Sequence, residues 1–145
     1  MKLLIEQSPD CKETEIRISC RSVDEKLNRI IEQIRLCALC LVVEKDGLSI
    51  PIALEEIFYF DSVDNRTFLY KEADVYPCEK KLYELEEELA RTSFVRVSKN
   101  CILNTAVVAS VRAQFSGRLE ATLTNGEKIL ISRHYLNSFR DKFKW

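Results

Sequence analysis

The sequence predicts an α+β domain, predominantly antiparallel β, with short helices and a small strand–helix unit at its N-terminal end. Three observations carry that expectation. Short apolar runs suited to strands recur along the chain, separated by turn-forming pairs such as Asp46-Gly47, Ser116-Gly117 and Asn125-Gly126. Only about 23–36 and 78–90 carry apolar residues at helical spacing over several turns, and a short third stretch closes the chain. The strand–helix alternation of a parallel sheet is absent.

The elements follow in order. Thr14–Cys20 alternates polar and apolar residues and predicts a half-buried strand. Ser22 with Glu25 three positions on fits a capping box. Val23, Leu27, Ile30, Ile31, Ile34 and Ala38 then share one face of a helix over about Val23–Leu36. Leu39–Val43 is an apolar strand that Asp46-Gly47 turns into Leu48–Ala53. Glu55-Glu56 breaks the pattern before the aromatic strand Ile57–Val63. Asp64-Asn65-Arg66 is a turn, Thr67–Tyr70 runs back, and Glu72-Ala73-Asp74 turns the chain into Val75–Pro77. Leu82, Leu85 and Leu89 mark a second helix over about Cys78–Ala90. Phe94–Asn100 and the short apolar Cys101–Asn104 come next, then strands at Val107–Gln114, Leu119–Leu123 and Lys128–Ile131. Asn125-Gly126 is the strongest two-residue hairpin signal, because both positions tolerate positive φ. Tyr135, Leu136 and Phe139 suggest a final short helix.

Composition narrows the function. With 145 residues, 46% hydrophobic, and only three Gly and three Pro, the chain reads as one domain, or one domain with a small appendage. No run of 18 apolar residues exists, and the start, Met1-Lys2-Leu3-Leu4-Ile5-Glu6, is too short in apolar residues for a signal peptide. The expectation is a cytoplasmic protein whose six cysteines are reduced. The net charge of −1 hides an asymmetry. Residues 92–145 hold nine basic against three acidic side chains, net +6, which leaves −7 for residues 1–91. A basic third beside an acidic remainder points to an end that faces a polyanion.

Catalytic chemistry finds little support. Cys37 and Cys40 form a CxxC, but zinc needs four ligands and the only histidine is His134. Core packing is the expected role of that pair. Glu86-Glu87-Glu88 are consecutive, so they splay around a helix as a solvated face. No phosphate-binding glycine loop, nucleophile elbow or zinc-protease motif is present. The sequence thus implies no enzyme, no metal site and no cofactor.

Three segments decide the reading: Ile52-Ala53-Leu54-Glu55-Glu56-Ile57-Phe58-Tyr59-Phe60-Asp61-Ser62, Phe94-Val95-Arg96-Val97-Ser98-Lys99-Asn100-Cys101-Ile102-Leu103-Asn104, and Leu123-Thr124-Asn125-Gly126-Glu127-Lys128-Ile129-Leu130-Ile131-Ser132-Arg133-His134-Tyr135. In this order and spacing they resemble the LytTR family of bacterial DNA-binding domains. The resemblance implies an elongated, mostly-β domain over residues 41–145, with residues 1–40 as an N-terminal strand–helix extension. It implies a transcriptional regulator that binds double-stranded DNA through loops entering successive major grooves, with a third contact between them. Carried over residue by residue, the DNA-binding set is Asn65 and Arg66 after the aromatic strand, Ser98, Lys99 and Asn100 in the middle segment, and Ser132, Arg133 and His134 in the last loop. Their chemistry agrees. Arg66 and Arg133 suit guanine O6/N7, Asn65 suits adenine, and the others suit phosphates or base edges. Arg96 instead packs or pairs internally, because it shares a strand face with Phe94 and Ser98.

The chain departs from many members in two ways. About 40 residues precede the match, too few for a receiver domain, so no phosphorylation switch carries over and the chain reads as a stand-alone LytTR regulator. Ser98 stands where many members have histidine. The resemblance further implies paired direct-repeat sites, a homodimer as one option, and restraint by a small membrane protein as another. Two rival readings stay open: a protein-interaction or anti-regulator module that keeps the fold, and a ligand sensor acting through the N-terminal unit. Loss of Arg66, Lys99 and Arg133 would favour the first rival, and all three are present.

Overall fold

The fold was analysed in a computed structural model that describes residues 1–12 and 14–143, without the side chains of Leu36 and Cys37. In chain order it comprises α1 (Glu25–Ala38), β1 (Cys40–Lys45), β2 (Leu48–Ala53), β3 (Tyr59–Val63), β4 (Arg66–Tyr70), β5 (Val75–Cys78) and α2 (Leu82–Glu88). Then come β6 (Phe94–Ser98), β7 (Cys101–Asn104), β8 (Val108–Ala113), β9 (Leu119–Leu123), β10 (Lys128–Ile131) and α3 (Leu136–Phe143). All pairings are antiparallel. The strands form a β1-β2 hairpin, a five-stranded sheet in the order β5-β4-β3-β7-β6, and a three-stranded sheet in the order β10-β9-β8. The α+β, mainly antiparallel class expected from the sequence is what forms.

The five-stranded sheet is the middle layer, because its alternating side chains find apolar cover on both faces. Phe60 pairs across strands with Leu69 and Ile102, and this face packs against Leu82, Leu85 and Leu89 beside Val43 and Ile52 of the hairpin. The other face sends Val95, Val97, Cys101 and Leu103 against Leu119, Ala121, Leu123, Ile131 and Phe139. Each fully buried Leu, Ile or Phe contributes about 1.5–3 kcal/mol. Asn104, fully buried, ties the layers together. Its Nδ2 donates to Ile57 O at 2.9 Å, while its Oδ1 accepts from Ser93 Oγ at 2.6 Å and Ala106 N at 3.0 Å.

Several local expectations change. Thr14–Cys20 carries no strand ladder, since alternation gives a segment a face but not a partner. Helix α1 is capped by Asp24, whose carboxylate accepts from Leu27 N at 2.7 Å, and not by Ser22. Its apolar residues Leu27, Ile30, Ile31 and Ile34 are half-buried and join neither core. Helix α2 is shorter than the leucine spacing predicts, ending at Glu88. Cys40 is exposed at the start of β1, not packed in a core, and the Cys37 side chain lies outside the described residues.

The turns also differ. Asp64 and Asn65 have φ of 50° and 64°, so they make a two-residue hairpin and Arg66 already belongs to β4. Asn125-Gly126 is not such a turn. Thr124, Asn125 and Gly126 form a three-residue loop closed by Leu123 N to Glu127 O at 2.8 Å, and only Gly126 has positive φ, 89°. Asn125 instead uses its side chain, donating to Glu72 O at 3.0 Å and accepting from Glu127 N at 3.1 Å. The β8–β9 connection repeats the pattern with Gly117 at φ 78°.

Candidate nucleic-acid interface

Sheet topology brings the three predicted segments to one end of the molecule. In the five-stranded sheet the C-terminal end of β3 lies beside the N-terminal end of β7. The β3–β4 turn at Asp64-Asn65 and the β6–β7 turn at Lys99-Asn100 therefore emerge side by side, and Ser62 N donates to Asn100 O at 2.8 Å between them. The third segment is tied in through Ser132 N, which donates to Val97 O at 2.9 Å, one residue before Ser98. A register shift in the β6–β7 ladder between Arg96 and Ser98 is a β-bulge, which frees the Val97 carbonyl for that bond.

The side chains there are accessible. Asn65, Arg66, Lys99, Asn100, Arg133 and His134 are exposed, and Ser98 and Ser132 are half-buried. Among the described residues Arg66, Lys99 and Arg133 form no ion pair. A surface salt bridge would give Arg133 a purely structural role, and none holds it among the described residues. His134 sets its ring edge-on to Tyr135, centroids 4.9 Å apart.

Arg96 pairs internally, as its strand position requires. Its Nε donates to Ser98 O at 2.9 Å, its Nη2 donates to Lys99 O, and its Nη1 meets Glu86 Oε2 at 2.8 Å. Glu86 is thus not merely part of a solvated face. Sequence reasoning also missed Lys81, the residue before α2, whose Nζ donates to Asn65 O at 2.8 Å. Helix α2 therefore braces two of the three turns. No local pattern reveals either contact, since Lys81 and Asn65 lie 16 residues apart.

The opposite end of the sheet is acidic. Glu55, Glu56, Glu72 and Asp74 line a shallow groove there with Phe58 and Lys71. Glu127 is held nearby by Tyr59, whose hydroxyl donates to it at 2.8 Å. Burial, and then that carboxylate, raise the Tyr59 phenol well above its ordinary pKa. Between the two ends, burial raises the Asp61 carboxyl against the opposing effect of a backbone hydrogen bond from Ser62. Burial also pushes the neighbouring Cys101 thiol up to about 12. Among the described residues no cluster of His, Cys, Asp and Glu could hold a metal ion, and no helix is long and apolar enough to cross a membrane.

Residues 48–144, about two thirds of the chain, match the model of the LytTr DNA-binding domain family. The chain belongs to the LytTR family. A LytTr DNA-binding domain from Bacillus cereus superposes with a TM-score of 0.67 at 21% identity, over 73% of this chain and 97% of that one. The sensory transduction protein LytT of Enterococcus faecalis is 28% identical over 91 residues, 63% of this chain and 38% of that protein. The sensory transduction protein LytR of Staphylococcus haemolyticus is 23% identical over 105 residues, 66% of this chain and 41% of that protein. This LytTR chain thus spans about two fifths of the length of these curated relatives. The three segments that carry the sequence resemblance, 52–62, 94–104 and 123–135, all fall within the matched residues.

Proposed function

We propose that this LytTR chain is a sequence-specific regulator of transcription that reads the major groove of duplex DNA through its turns. The carrying observation is the convergence of Arg66, Lys99 and Arg133, all exposed and without an ion-pair partner among the described residues, on one end of the sheet. Asn65 and Arg66 at one side and Ser132, Arg133 and His134 at the other supply base-edge donors and acceptors. Ser98, Lys99 and Asn100 supply the contact between them. Turns fixed at both ends by sheet hydrogen bonds hold such groups at low entropic cost. Residues 41–145 act as the DNA-binding domain and residues 1–40 as an extension, a division supported by the α1 stripe joining neither core.

The test is selection from a pool of random duplex DNA, with sequencing of the bound fraction and a salt titration of the winners. The expected result is an enriched motif, present as paired direct repeats, with affinity falling steeply in salt. Binding without enrichment would overturn sequence reading. No binding at low salt would overturn the DNA function itself and favour the protein-interaction reading.

A further inference from the structure

A fourth turn reaches the same end of the molecule, and it carries an aromatic residue with no place in either core. Strands β8 and β9 are joined by Phe115, Ser116 and Gly117, closed by Gln114 N to Arg118 O at 2.9 Å and Gly117 N to Gln114 O at 3.2 Å. Phe115 is 115% exposed, more open than in an extended reference peptide. Gly117 lies directly against the stem of Arg133. A Cβ built on it would sit 3.2 Å from Arg133 Cδ and 3.7 Å from its Cγ. The turn is therefore packed alongside one of the two arginines suited to guanine, and its tip is an exposed phenyl ring. Arg118 beside it is exposed and has no ion-pair partner among the described residues. The polar contacts that shape the turn lie behind the ring: Gln114 Nε2 to Glu120 Oε2 at 2.9 Å and Arg112 to Glu120 at 2.9 Å.

A phenyl ring held in water beside guanidinium and hydroxyl groups is ill suited to phosphate, but suits the one apolar group in the major groove, the thymine 5-methyl. We infer that Phe115 is a specificity-determining residue that packs on a thymine methyl next to the base read by Arg133. The inference rests on the DNA-reading function proposed above. It adds a contact that the polar loops cannot make, and it makes the β8–β9 turn part of the reading surface.

The experiment uses the full chain and the selected duplex, by fluorescence anisotropy. Phe115→Ala should weaken binding about tenfold and leave the melting temperature unchanged, because the ring packs on nothing among the described residues. Replacing the thymines of the site by deoxyuridine, one at a time, should reveal one position where loss of the methyl weakens the wild type about fourfold. At that position the substitution should have no effect on Phe115→Ala. Wild-type affinity in Phe115→Ala would overturn the inference while leaving the DNA function intact. So would a loss in Phe115→Ala that no deoxyuridine substitution reproduces, or a deoxyuridine penalty that persists in the variant. Failure of the wild type to select any duplex would overturn both.

Discussion

Arg96→Ala removes the clamp on the middle turn. Arg96 is 17% exposed at its side chain and holds the Ser98 and Lys99 carbonyls as well as Glu86. The two carbonyls can rehydrate and Glu86 is 51% exposed, so the loss of fold stability is small, about 1–2 kcal/mol. The larger effect falls on binding. Without the clamp, the turn must be ordered when DNA arrives and not when the chain folds. Ordering one residue's backbone costs about 1–2 kcal/mol, which is about 5–30-fold in affinity. Anisotropy titrations of wild type, Arg96→Ala, Lys99→Ala/Asn100→Ala and the triple variant complete the cycle. In the background lacking Lys99 and Asn100, the Arg96→Ala penalty should shrink to under about twofold, because a disordered turn without its contacts has nothing left to present. Full additivity, or an Arg96→Ala chain that binds like wild type, would refute the positioning argument.

Three further outcomes are expected. Arg133→Ala should cost about 1–3 kcal/mol of specific binding with an unchanged melting temperature, read by anisotropy and thermal melts; a large drop in melting temperature at unaltered affinity would make Arg133 structural. Asn104→Ala should cost about 2–4 kcal/mol in urea unfolding, since it strands the Ile57 carbonyl and the Ser93 hydroxyl in the interior. The Cys101 thiol, pushed by burial from 9.0 to about 12, keeps its proton in the folded chain while the unfolded chain releases it. The Cys101 contribution should then be full below about pH 9 and fall by up to about 1.4 kcal/mol per unit as pH rises towards 12, and Cys101→Ala should flatten urea midpoints between about pH 9 and 10, below the range where the raised Tyr59 phenol adds its own slope.

What could be read in advance follows the range of the forces involved. Strands β3, β4 and β9 were legible because their alternation is enforced by cover on one or both faces. Asp46-Gly47 was legible because both residues do adopt positive φ, 55° and 76°. Thr14–Cys20 was misread because the same alternation occurs with nothing to pair against. Asn125-Gly126 was misread because the Asn125 side chain, bonded to Glu72 53 residues away, fixes a longer loop. The polar residues of the candidate interface come from three motifs, but their meeting at one end depends on the β3–β7 register and on the Val97 bulge. Lys81, Glu86 and Phe115 carried no signal at all, since their roles depend on contacts or exposure that only the assembled fold defines.

The separation of charge along the sheet has a dynamic consequence. Carboxylates gather at the Glu72 end, and Arg66, Lys81, Lys99 and Arg133 gather at the other. In the field of a polyanion such a body feels a torque as well as a pull. It turns before it touches, so that first collisions are biased towards the end that carries the turns. That rotation is a property of rates: added salt should slow arrival while leaving the departure of an already seated molecule much less affected.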